Sequence, residues 1–166
     1  MARLILIGLP GVGKSTVARA LGERWGSEVL DTDELIADSV AMTAPEYLRQ
    51  FGEMHFRERE FDALCRAIDS KAVVATGAGI VTREAARELI AAGNAIWLDA
   101  DDATLLERVA LGERPLLGSD HAESLRRLRA ERGAWYRACA RTRIDASGSI
   151  DDVIERVVGV TENVRS

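Results

Sequence analysis

The chain has 166 residues, of which 47% are hydrophobic and 30% charged, and its formal net charge at pH 7 is −5. This size and composition are typical of one globular domain with a substantial apolar core. The acidic balance argues against general binding of nucleic acid, which needs a basic face, although local arginines can still bind small anions. No apolar run has the length of a signal sequence or a membrane span, and the two cysteines have no metal or redox spacing. We therefore expect a cytoplasmic protein that does not bind membranes or nucleic acid.

Short apolar runs alternate with segments of helical spacing along the whole chain. The predicted strands are Leu4–Ile7, Glu28–Leu30, Ala72–Ala75, Ala95–Leu98 and, more weakly, Thr142–Asp145. The predicted helices are Lys14–Trp25, Pro45–Phe51, His55–Asp69, Arg83–Ala92, Ala103–Leu111, Ala122–Ala140 with a break near Gly133, and Ile150–Val160. This alternation predicts an α/β fold, with helices on both faces of a parallel sheet and ligands at the carboxyl ends of the strands.

The segment Gly8–Thr16, GLPGVGKST, fits the phosphate-loop pattern G-x-x-x-x-G-K-[ST] and lies between a predicted strand and a predicted helix. Glycines let backbone N–H groups approach phosphate oxygens, and the helix N-terminus adds partial positive charge. We expect Lys14 to reach the β- and γ-phosphates and Ser15 to offer its hydroxyl to Mg²⁺. The expected nucleotide-binding residues here are Gly11, Val12, Gly13, Lys14, Ser15 and Thr16. The alternative is a plain strand-to-helix turn.

Two carboxylates follow the second predicted strand, in Asp31-Thr32-Asp33. On an extended segment alternate residues point the same way, so we expect both carboxylates on one side. Asp31 could hold Mg²⁺ through water, and Asp33 could orient a substrate hydroxyl or accept its proton. The alternative is a helix N-cap by Thr32 or Asp33, with a helix beginning near Glu34.

Three further features are weak signals when each is taken alone. Arg57 and Glu60 are three residues apart on a predicted helix, so Glu60 could hold the guanidinium for a bidentate grip on a carboxylate, although an exposed ion pair of little value explains the spacing equally well. The turn Gly77–Gly79 could present backbone N–H groups to a ligand. Arg132 is by itself a solvated cation on an arginine-rich helix.

A turn-rich, polar segment lies between two predicted helices at about residues 112–124. It could be a mobile lid or a static surface connection. Arg114 favours the lid, because an arginine there could close over phosphates.

Read in order, these segments resemble the shikimate kinase family. The matching motifs are GLPGVGKST, DTD at Asp31–Asp33, GE..FR..E at Gly52–Glu60, the turn Gly77–Gly79, RPLL at Arg114–Leu117 and R...Y...A at Arg132–Ala140. The phosphate loop is common to many nucleotide-binding proteins, whereas the ordered combination of motifs is much more specific. The resemblance covers nearly the whole chain.

The resemblance implies a single domain over residues 1–166 with the P-loop kinase fold: a three-layer α/β sandwich with a five-stranded parallel sheet, a lid at about 112–124 and a substrate-binding helical region at about 33–60. The implied reaction is ATP- and Mg²⁺-dependent phosphorylation of the 3-hydroxyl of shikimate by a cytoplasmic protein, which we expect to be a monomer. For ATP and Mg²⁺, the resemblance implies phosphate contacts by Lys14 and Arg114, an adenine contact by Arg108, and Mg²⁺ binding by Ser15 with Asp31 in the outer shell. For the acceptor, it implies that Asp33 binds the hydroxyls and is the candidate base, and that Arg57 and Arg132 bind the substrate carboxylate. Glu60 is implied to orient Arg57, and Gly77, Ala78 and Gly79 to contact the substrate.

One residue departs from the family pattern. Three consecutive glycines are usual where this chain has Gly77-Ala78-Gly79. Alanine disfavours positive φ, so a left-handed conformation at Ala78 would cost about 1–2 kcal/mol and could alter acceptor binding. The alternatives are therefore a kinase of the same fold for another small hydroxylated acid or sugar, a non-catalytic nucleotide-binding domain, and an ATPase that uses water as acceptor.

Overall fold

Five strands form one parallel sheet at the centre of the structure, a computed structural model in which residues 1–110 and 120–162 are described. The strands are β1 (Leu4–Ile7), β2 (Val29–Asp31), β3 (Val73–Ala75), β4 (Ala95–Asp99) and β5 (Thr142–Asp145). Their order in the sheet is β2-β3-β1-β4-β5, and every neighbouring pair is parallel. All five predicted strands are confirmed, with β2 displaced by one residue towards the carboxyl terminus.

Helices connect the strands and cover the sheet. They are α1 (Lys14–Trp25), α2 (Thr32–Val40), α3 (Ala44–Ile68), α4 (Glu84–Ala92), α5 (Asp102–Val109), α6 (His121–Cys139) and α7 (Ile150–Glu162), with a short 3₁₀ helix at Ile80–Thr82. Helix α1 packs against α7, and α6 packs against α4 and α5. Every residue of β1 and β4 is buried, as expected for strands covered on both faces. The predicted three-layer α/β sandwich is confirmed.

Helix α2 is missing from the predicted helices because it is short and begins within the DTD segment. Its N-cap is Asp31, whose carboxylate accepts a hydrogen bond from the Asp33 backbone N–H at 2.9 Å. The predicted alternative was right about a helix near Glu34 and wrong about the cap, which was assigned to Thr32 or Asp33. Thr32 instead lies buried at the first helical position.

Two glycines were expected to interrupt helices, and they behave differently. Helix α3 consists of two helical segments joined by a kink at Gly52, where φ of 83° and ψ of 170° are not helical, so the two helices predicted there are confirmed. Helix α6 continues through Gly133, and the predicted break is wrong. A helical glycine costs only about 1 kcal/mol, and the buried residues Arg132 and Tyr136 on either side of Gly133 hold this part of α6 in place.

The main apolar core surrounds β1, β3 and β4, and a smaller cluster of Ile36, Tyr47, Phe56 and Ala63 lies between α2 and α3. The second cluster fixes α2 and α3 beside the carboxyl edge of the sheet. Within the described ranges, none of the helices is both long and apolar enough to cross a bilayer.

Candidate active site

A cavity of about 750 Å³ lies at the carboxyl edge of the sheet, where a parallel α/β fold places ligands. The phosphate loop, the start of α2, the first half of α3, the turn after β3 and one face of α6 all contribute to its wall. Among the residues singled out from the sequence, those that line it are Gly11, Val12, Gly13, Lys14, Ser15, Thr16, Asp31, Asp33, Arg57, Glu60, Gly77, Ala78, Gly79, Arg108 and Arg132. Residues distant in the sequence thus share one cavity.

Near its end, the phosphate loop has a residue in the left-handed backbone conformation, which only glycine adopts easily. Gly13 has φ 99° and ψ 19° and caps α1 without a side-chain hydrogen bond, so the first N–H groups of the helix remain available to an anion. Lys14 is 9% exposed, and its ammonium donates to the carbonyl oxygens of Gly8 at 2.9 Å and Leu9 at 3.1 Å. A buried cation and a helix N-terminus therefore converge at one end of the cavity.

The hydroxyl of Ser15 donates to a carboxylate oxygen of Asp31 at 2.5 Å. Because the Ser15 hydroxyl proton is directed at Asp31, the lone pairs of the hydroxyl oxygen point in other directions. Mg²⁺ binds such oxygen ligands. The described residues contain no group of three or more His, Cys, Asp or Glu that could hold a metal alone. The donor set fits an ion that keeps waters and arrives with phosphate oxygens.

Asp31 and Asp33 serve different parts of the cavity, which corrects the predicted extended segment. Asp31 ends β2 in an extended conformation and contacts Ser15, whereas Asp33 lies in the first turn of α2. An Asp33 carboxylate oxygen lies 3.2 Å from the point that a Cβ would occupy on Gly77. One carboxylate therefore faces the phosphate loop and the other the turn after β3.

Arg57 forms ion pairs with Glu60 and with Glu53, the latter at 3.0 Å. The Arg57 side chain is 14% exposed and that of Glu60 only 2%, so this is a buried pair and not the exposed surface pair of the alternative interpretation. Burial raises the pKa of Glu60 above its usual range, against the opposing attraction of Arg57. Burial lowers the pKa of Arg57, but the two glutamates raise it by more, so the guanidinium stays charged.

The turn Gly77–Gly79 is in close contact with α3 and α6. A Cβ on Gly77 would overlap a carboxylate oxygen of Glu60, and a Cβ on Gly79 would overlap the Arg57 guanidinium. The carbonyl oxygen of Ala78 accepts hydrogen bonds from Arg132 Nη1 at 3.1 Å and from the Tyr136 hydroxyl at 2.6 Å. The turn thus lies between the partly buried Arg57 and the buried Arg132.

Ala78 has no conformational strain. Among the described residues, Ala41 is the one non-glycine residue with positive φ, so Ala78 lies outside the left-handed region. The cost expected for an alanine at this position is therefore absent. A Cβ on either outer glycine would displace the end of the Glu60 or Arg57 side chain, whereas the middle residue needs no left-handed conformation.

Arg108 lies at the opposite end of the cavity from the glycine turn. Its guanidinium donates to the carbonyl oxygens of Val12 and Gly148, each at 3.2 Å, and so joins the phosphate loop to the segment before α7. Ala146, Ile150 and Val153 provide apolar wall at this end. Arg114 and residues 112–119 of the predicted lid lie outside the described residues, and residues 121–124 form the first turn of α6.

Two contacts of the site were not predicted from the sequence. The Thr32 hydroxyl oxygen accepts a hydrogen bond from the Gly77 N–H at 2.8 Å and so joins α2 to the glycine turn. Tyr136 joins α6 to the same turn. Tyr136 follows Arg132 by four residues, a spacing that places both on one face of a helix and is the signal that could have identified it.

A buried carboxylate anchors the helix that carries Arg132. Asp99, at the end of β4, is 4% exposed and accepts from Arg129 Nη1 at 2.8 Å and Arg143 Nε at 2.9 Å. Arg129 also donates to Asp102 at 2.7 Å. These ion pairs connect α6 to the sheet and to α5 within one turn of Arg132.

The sheet order, the phosphate loop at the end of β1 and the cavity that it shares with α3 and α6 define a P-loop kinase fold. The family model described as shikimate kinase matches residues 10–162. The shikimate kinase of Symbiobacterium thermophilum is 38% identical over 162 residues, 93% of this chain and 93% of that protein. That of Rhodopseudomonas palustris is 42% identical over 138 residues, 81% of this chain and 68% of that protein. The chain belongs to the shikimate kinase family.

Solved structures show the same relationship. The shikimate kinase from Acinetobacter baumannii in complex with shikimate has a TM-score of 0.91 and 32% identity, covering 96% of this chain and 92% of that chain. A gluconokinase from Sinorhizobium meliloti has a TM-score of 0.61 and 18% identity over 98% of this chain and 94% of that chain, so it shares the fold alone.

Proposed function

We propose that this chain transfers the γ-phosphoryl group of ATP to the 3-hydroxyl of shikimate, forming shikimate 3-phosphate on the route to chorismate and the aromatic amino acids. The observation that carries the proposal is one cavity with two distinct ends. A phosphate loop with a buried lysine forms one end, and the buried Arg132 and the partly buried Arg57 beside an aspartate form the other. ATP and a hydroxylated carboxylic acid match these two ends.

Arg57 and Arg132 are the groups that would bind the shikimate carboxylate. Both side chains line the cavity, and each guanidinium is a planar fork of N–H donors, of which Arg132 Nη1 already donates to the Ala78 carbonyl. A planar carboxylate can accept paired hydrogen bonds from such a fork. Glu60 holds Arg57 in place from the buried side.

Asp33 is placed to bind the ring hydroxyls, since it lies at the start of α2 beside the glycine turn. Its carboxylate would orient the attacking 3-hydroxyl and accept its proton as the new bond forms. In a loose transition state proton transfer is late, so orientation is the larger part of this role.

Lys14 and the N–H groups at the start of α1 would neutralise the charge that spreads over the phosphoryl oxygens in the transition state. Arg114 is proposed to add to this from the lid, and Arg108 to contact the adenine. Ser15 would bind Mg²⁺, with Asp31 behind it through water. When bound there, the ion would supply charge neutralisation for the phosphates. We also propose a cytoplasmic monomer that binds neither nucleic acid nor membranes.

The acceptor is tested by measuring ADP release at saturating Mg·ATP with shikimate, quinate, gluconate and simple polyols. We expect kcat/KM for shikimate to exceed that of every other acceptor by at least about a hundredfold, because polyols lack the carboxylate, and quinate and gluconate carry it on a tetrahedral carbon that orients it differently from the planar carbon of shikimate. A preference for another acid would indicate a different kinase of this fold. Hydrolysis at one rate with and without any acceptor would indicate an ATPase.

The two lysines of the chain give matched controls for that assay. Lys14→Ala should lower kcat by at least about a thousandfold, because a buried cation at the transferring phosphate is lost. Lys71→Ala removes an exposed lysine just before β3, at the amino edge of the sheet, and should leave turnover unchanged. Equal activity of the two variants would contradict the assignment of Lys14.

A further inference from the structure

We infer that Tyr136 is a positioning residue for acceptor binding: its hydroxyl holds the Ala78 carbonyl oxygen, the hydrogen-bond acceptor that orients the Arg132 guanidinium towards the substrate carboxylate. The inference rests on the proposed function, because it concerns the carboxylate end of the same cavity. It assigns a role to a side chain that is itself fully buried and is not one of the residues lining that cavity.

The orientation of the peptide follows from two hydrogen bonds to one oxygen. Tyr136 and Arg132 both donate to the Ala78 carbonyl, which therefore points towards α6. The described residues include no cis peptide bond, and in a trans peptide the N–H points opposite to the C=O. The Gly79 N–H accordingly points away from α6, and it has no acceptor among the described residues.

The turn is in contact with both arginines. Gly79 lies directly against the Arg57 guanidinium, and Arg132 donates to the Ala78 carbonyl of the same turn. If the Ala78–Gly79 peptide rotated, Arg132 would lose the acceptor that sets its orientation.

Tyr136 is well suited to hold a peptide plane. It is 0% exposed, and its ring stacks on Trp97 with centroids 6.0 Å apart. Burial raises the pKa of the Tyr136 phenol well above its ordinary value, so the hydroxyl is protonated and remains a donor at neutral pH. Arg132, the second donor to the Ala78 carbonyl, would also bind the substrate carboxylate. The Tyr136 hydroxyl has no such second role, so its hydrogen bond to Ala78 is the contact that persists through turnover.

The test is Tyr136→Phe, which removes one hydroxyl and keeps the ring. We expect KM for shikimate to rise about five- to tenfold, with kcat and KM for ATP within about twofold of the wild type, because the loss of one buried hydrogen bond is a change of this size. A residue that only stabilises the fold would lower Tm and leave KM unchanged. That result would overturn the inference.

The methyl ester of shikimate tests the carboxylate end specifically. The ester lacks the charge, so Tyr136→Phe should lower kcat/KM for shikimate about five- to tenfold more than for the ester. This ratio is independent of the fraction of active protein, so it remains valid if the variant is partly unfolded. Equal losses with acid and ester would overturn the inference.

Ser70→Ala is the matched control. It removes the hydrogen bond of 2.6 Å that the partly buried Ser70 hydroxyl donates to the Ala67 carbonyl, at the amino edge of the sheet. It should reduce Tm and leave KM for shikimate unchanged. If the wild type phosphorylates shikimate and Tyr136→Phe behaves like Ser70→Ala, only the proposed role of Tyr136 is refuted. If the wild type prefers another acid, the same ratio is measured with that acid and its ester, and a wild type inactive with every acceptor would overturn both proposals.

Discussion

The residues of the glycine turn differ in what fixes their identity. Gly77 and Gly79 lie against the ends of the Glu60 and Arg57 side chains, so a methyl group at either position would displace one of these side chains. Ala78 has an ordinary φ and is partly exposed at the cavity wall. An alanine at either outer position would therefore act through a neighbouring side chain and not through the backbone conformation.

This difference predicts opposite outcomes for two substitutions. Gly79→Ala should raise KM for shikimate at least about tenfold, because the new Cβ displaces the Arg57 guanidinium, and such overpacking costs about 1–3 kcal/mol. Ala78→Gly, which restores the usual family turn, should change KM by less than about threefold. Steady-state kinetics with shikimate as the varied substrate tests both. A large gain in affinity for Ala78→Gly would show that the methyl group restricts the acceptor.

The Arg57–Glu60 pair predicts a pH dependence of acceptor binding. Because burial raises the pKa of Glu60, its protonation on acidification begins above the ordinary glutamate value of 4.5. Protonation weakens the ion pair that orients Arg57, so KM for shikimate should rise as pH falls into this range, while KM for ATP changes little. Glu60→Gln, which cannot titrate, should have a raised KM at neutral pH and a flatter acid limb. Identical acid limbs in the two proteins would contradict the assignment to Glu60.

At the scale of elements, α6 determines the acceptor end of the cavity. It carries Arg132 and Tyr136 on one face and is anchored to β4 and α5 through Arg129. The carboxylate of Asp99 is the buried partner of that anchor. Stability and acceptor binding are therefore linked through one helix.

Asp99→Asn should destabilise the protein by about 2 kcal/mol, which is less than the usual cost of breaking a buried ion pair, because Arg143 and Arg129 are partly exposed. For a chain of this length that lowers Tm by about 4–8 °C. Thermal unfolding followed by circular dichroism measures the change. Arg24→Ala, which breaks an exposed ion pair with Glu155, should leave Tm close to that of the wild type. Equal effects of the two substitutions would contradict the anchoring role.

The elements that could be predicted are those with a strong local pattern. The strands are short buried apolar runs, and the phosphate loop is a motif with its own flanking strand and helix. Helix α2 was missed because its cap, Asp31, is also the last residue of β2. The break predicted at Gly133 was wrong because local propensity is weaker than the burial of its neighbours.

The residues of the site could be predicted from the sequence, but the hydrogen bonds between them could not. The resemblance named the arginines, the aspartates and the glycine turn, and the structure brings those in the described part of the chain to one cavity. The bond from Tyr136 to Ala78 spans 58 residues, and that from Thr32 to Gly77 spans 45. No local pattern encodes such contacts, since they depend on how strands β2 and β3 and helix α6 are arranged around the sheet.

At the scale of the whole molecule, the sheet order brings the ends of β1, β2 and β3 together and so places the phosphate loop, Asp33 and the glycine turn around one space. The order β2-β3-β1 makes the acceptor end adjacent to the phosphate end. In-line transfer requires this adjacency, because the attacking hydroxyl and the leaving oxygen must lie on opposite sides of one phosphorus atom.

Phosphorus–proton correlated NMR of the reaction product tests this arrangement most directly. After incubation with Mg·ATP and shikimate, we expect a single new phosphomonoester whose phosphorus couples to the proton on carbon 3 of the ring, with ADP formed in equal amount. Coupling to the proton of a different carbon, or inorganic phosphate as the only phosphorus product besides ADP, would contradict transfer to the 3-hydroxyl.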